Sequence, residues 1–239
     1  MAACWRPWFG HNPDMPDDAD LSPAALLWAY ALGSFPMADP DTGRVDYYTC
    51  APRCIIPLER FQLPRSSLRS IRASRFVIRA DTAFERVMRG CMLPRPGHER
   101  TWISESMVEA YVRLHEIGFA HSVEAWLDDT LVGGLYGVSI AGAFFGESMF
   151  TRREPGAANA SKACLHWLVT HLKSRGFSLL DSQYANPLVL SFGAVEISEE
   201  EYEARLSVAL DQDVSFDPSP RGRPSSSSES TEPGASTAS

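Results

Sequence analysis

Two apolar runs in this chain break to present acids and amides. Phe144-Phe145-Gly146-Glu147-Ser148-Met149-Phe150 carries Glu147, and Leu179-Leu180-Asp181-Ser182-Gln183 carries Asp181 and Gln183. If the second run is a strand, side-chain alternation puts Asp181 and Gln183 on one face, where a single pocket sees both. A carboxylate beside a carboxamide can orient an amine and help to deprotonate it. The same groups can equally form a buried hydrogen-bond set with no chemistry, since buried polar groups usually find partners. His115 falls late in an amphipathic stretch and His121 opens a strand-like one. Neither has an identifiable Ser or Cys partner, so structural roles are expected for both.

Elements able to carry these residues can be read along the chain. Residues 1–20 are rich in Pro and Asp and are expected to be loose. Ser22-Pro23 reads as an N-cap followed by Pro at the first helical position, opening a helix through Leu26, Leu27 and Tyr30 to Gly33. Phe35-Pro36-Met37 follows as an apolar loop, and Pro52, Pro57 and Pro64 leave only short strands and turns over 43–65. A short strand at 76–78 and a helix over 82–91 come next. Met107, Val108, Tyr111, Leu114 and Ile117 share one face of a helix over 105–117, which Gly118 stops. Strands are expected over 121–127, 131–140 and 143–150, divided by Asp128-Asp129 and Ala141-Gly142. A helix over 160–175 stopped by Gly176, a strand over 177–183, a short element near 187–192 and a helix over 199–210 complete the order. Hairpins followed by a crossover helix and a further strand predict an α/β (α+β) fold with a mixed sheet and flanking helices, not a doubly wound sheet. From residue 211 the chain is Ser, Pro, Gly and acid, so 211–239 is expected to be a disordered acidic tail.

Composition narrows the class of protein. The 239 residues, 44% of them apolar and 22% charged, suit one full domain plus an appendage, or two small ones. No apolar run approaches the ~20 residues that span a bilayer, and the N-terminus lacks a signal-peptide pattern. The five cysteines at 4, 50, 54, 91 and 164 include one close pair and no completing His, so no metal is expected. Reduced thiols in a cytoplasm are the plain reading. Net charge is −8, yet the segment from Arg44 to Arg100 holds 12 Arg against five acids. That segment is a candidate nucleic-acid face, because Arg grips phosphates in a bidentate way. The alternative is that Arg simply replaces Lys throughout, since Lys162 and Lys173 are the only lysines.

Ordered blocks of sequence give the chain a family resemblance from about Leu21 to Leu210. They are Asp20-Leu21-Ser22-Pro23, Gly33-Ser34-Phe35-Pro36, Ile55-Ile56-Pro57-Leu58, Pro64-Arg65-Ser66, Thr101-Trp102-Ile103, Ala120-His121-Ser122-Val123-Glu124 and Val132-Gly133-Gly134-Leu135-Tyr136-Gly137. The most specific are Phe144 to Phe150, Asn159-Ala160-Ser161-Lys162, and Leu180-Asp181-Ser182-Gln183 with Phe192-Gly193-Ala194. Together they make the chain similar to the leucyl/phenylalanyl-tRNA–protein transferases, bacterial enzymes that move Leu or Phe from charged tRNA onto proteins with N-terminal Arg or Lys.

The resemblance implies a small N-terminal domain, placed here at 21–70, and a C-terminal domain at 71–210 resembling the acetyltransferases that use acetyl-CoA. It implies no cofactor, since an aminoacyl-tRNA is already an activated ester. Its implied partners are aminoacyl-tRNA carrying Leu, Phe or Met and a protein or peptide beginning with Arg or Lys. The product would pass to an adaptor and an ATP-dependent protease. By resemblance, Gln183 would sit closest to the attacking nitrogen, Asp181 would set its orientation, and Glu147 would attract the N-terminal ammonium and the basic side chain. Leu135, Phe144, Met149, Leu165 and Leu180 match family positions in or around the aminoacyl pocket. Ordinary core packing is the competing role, above all for Leu165 and Leu180. Trp102, Met37, Asn159, Ser161 and Lys162 match positions toward the 3′ end of the tRNA. Here a domain-interface role for Trp102 and simple solvation of Lys162 compete.

This chain departs from the family's pattern at Met37, at Tyr47-Tyr48, and at Leu188, where members usually have His. It also carries an apparent insertion over 153–158. Two other functions stay open. Arg153-x-x-Gly156-x-Ala158 fits a pyrophosphate-cradling loop of an acetyl-CoA-dependent N-acetyltransferase. The departures also allow a non-catalytic relative that binds tRNA or peptide.

Overall fold

The protein is described from a computed structural model covering residues 5–7, 19–94 and 100–217. The readings of 1–20 and 211–239 therefore lie mostly outside the described residues. Chain order is β1 (Trp5–Pro7), α1 (Pro23–Ala31), β2 (Phe35–Ala38), β3 (Val45–Cys50), β4 (Arg53–Ile55), a single 3-10 turn at Leu58–Arg60, α2 (Arg65–Ala73), β5 (Val77–Ala80), α3 (Phe84–Met92) and α4 (Glu105–Glu116). It continues with β6 (Ala120–Leu127), β7 (Thr130–Ile140), β8 (Ala143–Thr151), α5 (Ala160–Arg175), β9 (Leu179–Asp181), α6 (Pro187–Leu190), β10 (Val195–Ile197) and α7 (Glu199–Leu210). No described helix is long and apolar enough to cross a membrane.

The helices begin and end where local chemistry requires. Ser22 accepts from the Ala25 N–H ahead of Pro23, Ser104 accepts from Met107, and Ser198 accepts from Glu201. Three glutamates in the first turn of α7 complement the helix dipole. Gly176 takes φ +86° and closes α5.

The strands form a small sheet β1-β3-β2 and a seven-stranded sheet β10-β4-β9-β8-β7-β6-β5. Within the large sheet only β8–β9 is parallel, because α5 must carry the chain back across the sheet between them. This is the expected mixed α/β sheet with flanking helices. Strand alternation then sorts neighbours into two cores. Phe145 joins Tyr30, Val87, Met88 and Tyr111 from α1, α3 and α4, while Phe144 joins Leu135, Leu168, Leu180 and Phe192. A Cβ at Gly133 would lie 2.5 Å from the Ala160 Cβ, so a residue without a side chain is what lets α5 settle on β7.

Four expectations need correction. Phe35-Pro36-Met37 is strand β2, paired with β3, rather than a loop. The strand expected over 177–183 stops at Asp181, for a reason that lies in the site itself. The boundary at 70/71 falls within one continuous sheet, since β4 sits between β10 and β9. Residues 211–217, assigned to the tail, are packed. Phe216 is 2% exposed, stacks on His121 at 4.1 Å and lies 5.5 Å from Phe144, while His171 and Arg175 bond to the carbonyls of Phe216 and Asp217. Phe216, with Val214 packed beside the same core, thus anchors a mostly polar segment. Helix α2 and strand β10 were not anticipated: α2 buries only Ser67 fully, so little apolar periodicity announces it.

Phe216→Ala is expected to lower stability by ~3–5 kcal/mol, read as a fall in the urea midpoint. A loss below ~1 kcal/mol would show that the segment is not part of the core.

Candidate active site

Two irregularities in the large sheet create the site. Strands β8 and β9 pair in parallel only as far as Phe145 opposite Asp181, and beyond that point they part. On the other edge of β8 the register with β7 jumps from Tyr136–Ser148 to Gly137–Gly146, leaving Glu147 as the extra residue of a bulge. Bulges re-aim side chains, and this one turns Glu147 into the gap between the parted strands. A cavity of about 530 Å³ fills that gap. Its walls include Ile56, Leu135, Met149, Leu165 and Leu180 on the apolar side and Glu147, Asp181 and Gln183 on the polar side. Trp102 also lines it, together with the part-exposed Tyr184 and Leu188.

Asp181 is wholly buried and fully occupied. Arg53 Nε lies 3.0 Å from Oδ1 and Nη2 lies 2.6 Å from Oδ2, the Tyr202 hydroxyl donates to Oδ2 at 2.7 Å, and the Gln183 N–H donates to Oδ1 at 2.8 Å. Arg53 is itself 1% exposed, donates to the Gly33 carbonyl at 2.9 Å, and is flanked by the Phe35 and Tyr202 rings at 5.0 and 4.5 Å. Burial works against the guanidinium charge, but Asp181 more than offsets it and moves the Arg53 pKa up.

The strand ends here because the Asp181 carboxylate captures the backbone of Gln183, which takes a left-handed φ of +58°. Such a backbone costs a residue with a side chain roughly 1–2 kcal/mol. Asp181 and Gln183 therefore do not act as two like-facing positions of one strand. The Gln183 carbonyl accepts from the Cys54 N–H at 2.9 Å and the Cys50 thiol at 3.0 Å, and its side-chain Nε2 donates to Glu147 Oε1 at 3.2 Å.

Among the described residues, no ion pair reaches Glu147. Enclosure in the protein pushes its carboxyl up to about 8, a rise opposed by the nearby Tyr30 hydroxyl. Tyr30 in turn hydrogen-bonds Tyr111, so the carboxyl rests on a buried pair of phenols.

The remaining candidates divide. Phe144 is fully buried behind the apolar wall rather than on it. Met37 sits in β2 against the first core, away from the cavity lining. Asn159, Ser161 and Lys162 lie at the start of α5, also off the lining. Thr151 Oγ1 accepts from the Ser161 N–H at 3.0 Å and donates to its Oγ at 2.8 Å, and Lys162 donates to Ser67 of α2 at 3.2 Å. Arg53, Tyr202, Tyr30 and Cys50 are site residues that the sequence reasoning missed. Among the described residues no three His, Cys, Asp or Glu side chains are grouped to hold a metal.

Unfolded glutamate titrates near ~4.3, so between there and about 8 the folded protein holds a proton that the unfolded chain lacks. This contribution to stability is complete at lower pH and is lost as pH rises through that window. Glu147→Gln is expected to flatten the decline, compared by urea midpoints at pH values near ~5 and ~8. Equal declines in the two proteins would contradict the assignment.

Comparison with known proteins fits this geometry. Residues 55–207 match the family model described as leucyl/phenylalanyl-tRNA protein transferase, and residues 19–49 match the model of its N-terminal domain. A leucyl/phenylalanyl-tRNA–protein transferase of Chlorobaculum parvum is 48% identical over 191 residues, covering 80% of this chain and 96% of that protein. One from Gloeobacter violaceus is 49% identical over 190 residues, covering 80% and 94%. Among solved structures, a ribosomal-protein-alanine N-acetyltransferase from Brucella melitensis covers 47% of this chain and 82% of its own at 17% identity. Its TM-score of 0.33 is too low to argue from, and the fold stands on the topology above. With its family model spanning most of the chain and relatives near half identical, the chain belongs to the leucyl/phenylalanyl-tRNA protein transferase family of enzymes.

Proposed function

We propose that this protein transfers Leu, Phe or Met from aminoacyl-tRNA to the α-amino group of proteins beginning with Arg or Lys. The observation that carries the reading is one cavity in which an apolar wall faces a Glu147–Gln183 pair. Leu135, Met149, Leu165 and Leu180 receive the donor side chain. Met149 adapts to either a branched or an aromatic one. Such a wall excludes polar side chains strongly but separates apolar ones by only ~1–3 kcal/mol per methylene.

Asp181 is held by Arg53, so Glu147 is the cavity carboxyl left for the acceptor. A free α-amine has a pKa of ~7.7–8.0, matched to the Glu147 carboxyl at about 8, so passing a proton between them is nearly thermoneutral. The Gln183 amide fixes the carboxylate's direction. The amine nitrogen then attacks the ester carbonyl, a C–N bond forms, the C–O bond to the ribose breaks, and the ribose oxygen leaves with a proton. Holding both substrates in line supplies much of the acceleration, on the order of 7–11 kcal/mol at best. The product, with a new N-terminal Leu or Phe, is of the kind that an adaptor and an ATP-dependent protease would take up.

Arg65, Arg69 and Arg72 run along the exposed side of α2 and line a groove of about 460 Å³. Their spacing puts them on one helical face, and from the buried side of α2 the Ser67 hydroxyl ties the helix to Lys162 at the start of α5. This is the surface proposed for tRNA phosphates. The acetyl-CoA reading is less well supported by the loop before α5. Its Ala157 and Ala160 N–H groups bond to Glu154 and Ala157 carbonyls, and that of Ser161 bonds to Thr151, so they are not free to cradle a pyrophosphate.

The direct test is transfer of labelled Leu from leucyl-tRNA to peptides beginning with Arg, Lys or Ala. Label on the first two and not the third is expected, and label on none of them overturns the reading. Replacing Arg65, Arg69 and Arg72 together with Ala is expected to weaken tRNA binding ~10-fold or more and to flatten its salt dependence. An unchanged salt slope would remove α2 from the interface.

A further inference from the structure

We propose that Arg53 and Tyr202 are positioning residues of the transfer reaction, acting on Gln183 through the Asp181 carboxylate. The inference rests on the reading of the cavity given above. Neither residue reaches the cavity lining, yet both end on Asp181: Arg53 from β4 and Tyr202 from α7. Asp181 uses its remaining capacity to hold the Gln183 N–H.

Three features give this clamp a function beyond holding the fold together. A buried ion pair can often be exchanged for apolar residues without loss of stability, so packing alone does not call for one here. Gln183 takes a left-handed backbone that a residue with its side chain adopts only when its surroundings enforce it. That conformation aims the Gln183 amide at Glu147, the one cavity carboxyl with which Arg53 makes no ion pair. Removing a donor from Asp181 loosens its grip on the Gln183 N–H. The backbone then relaxes toward the extended region, and the amide turns off Glu147. The Tyr202 ring also lies 4.5 Å from the Arg53 guanidinium, so loss of its hydroxyl alone leaves the packing in place.

The test is a pair of substitutions, Tyr202→Phe and Arg53→Lys, each measured alone and combined with Gln183→Ala. Tyr202→Phe is expected to lower kcat ~10-fold with the KM for aminoacyl-tRNA unchanged, and Arg53→Lys, which keeps the charge but loses the fork, to lower it further. In the Gln183→Ala background the same changes are expected to alter the residual rate by less than ~2-fold, the coupling of groups that act as one unit. Faster hydrogen exchange at the Gln183 amide in Tyr202→Phe reports the loosened grip without relying on activity. An unchanged kcat, or equal losses in both backgrounds, overturns the clamp. If Arg53→Lys fails to fold, Tyr202→Phe decides alone. Absence of transfer by the unsubstituted protein would instead overturn the reading of the cavity, and the exchange experiment would still judge the clamp.

Discussion

The ion pair between Arg53 and Asp181 is the contact on which the rest of the site depends. Both side chains are removed from water, and each alone would be strongly destabilising. Together they are tolerable because nearly every polar atom is satisfied. The guanidinium spends its donors on Asp181 and the Gly33 carbonyl, and the carboxylate receives Arg53, Tyr202 and the Gln183 N–H. The pair draws together the turn after α1, strands β4 and β9, and helix α7. Between β4 and β9 alone, the paired residues are 128 positions apart in the chain. Early and late segments of the chain are thereby joined within one sheet, beside the cavity.

The cavity follows from a sheet that cannot stay continuous. Parallel pairing of β8 with β9 ends at Asp181 because that residue's side chain turns the following backbone. The bulge at Glu147 interrupts the pairing of β8 with β7 on the other side. The opening therefore forms where two acids and an amide converge, and apolar side chains from β7, β8, β9 and α5 complete it. The proposed chemistry asks for little more. In it an ester donor supplies its own driving force, and the protein would need to hold an amine, a carboxylate and an apolar side chain in register.

Much of this was legible in the sequence. The three hairpin strands follow from apolar runs and the punctuation between them, and the helix over 160–175 ends where Gly176 stops it. Glu147, Asp181 and Gln183 stood out as polar breaks in apolar runs. The partnership within that set was not legible. Alternation predicted Asp181 and Gln183 on one face, and it failed because the Asp181 carboxylate, held by a side chain 128 residues away in sequence, captures the Gln183 N–H. Arg53 looked like one Arg in a basic segment, and Tyr202 was not singled out within the helix over 199–210. Nothing local marks either as buried and paired. Likewise the packing of Phe216 depends on His121, His171 and Phe144, none of which is near it in the chain.

The most direct test of the account is the single-turnover rate of Leu transfer to an Arg-initiated peptide as a function of pH, for the unsubstituted protein and Glu147→Gln. The account predicts that the unsubstituted rate climbs through the region near 8, where both the acceptor amine and Glu147 lose their protons. Glu147→Gln should be slower throughout and climb with the amine alone, giving the shallower profile. Profiles that superimpose after scaling would contradict a role for Glu147 in managing the proton.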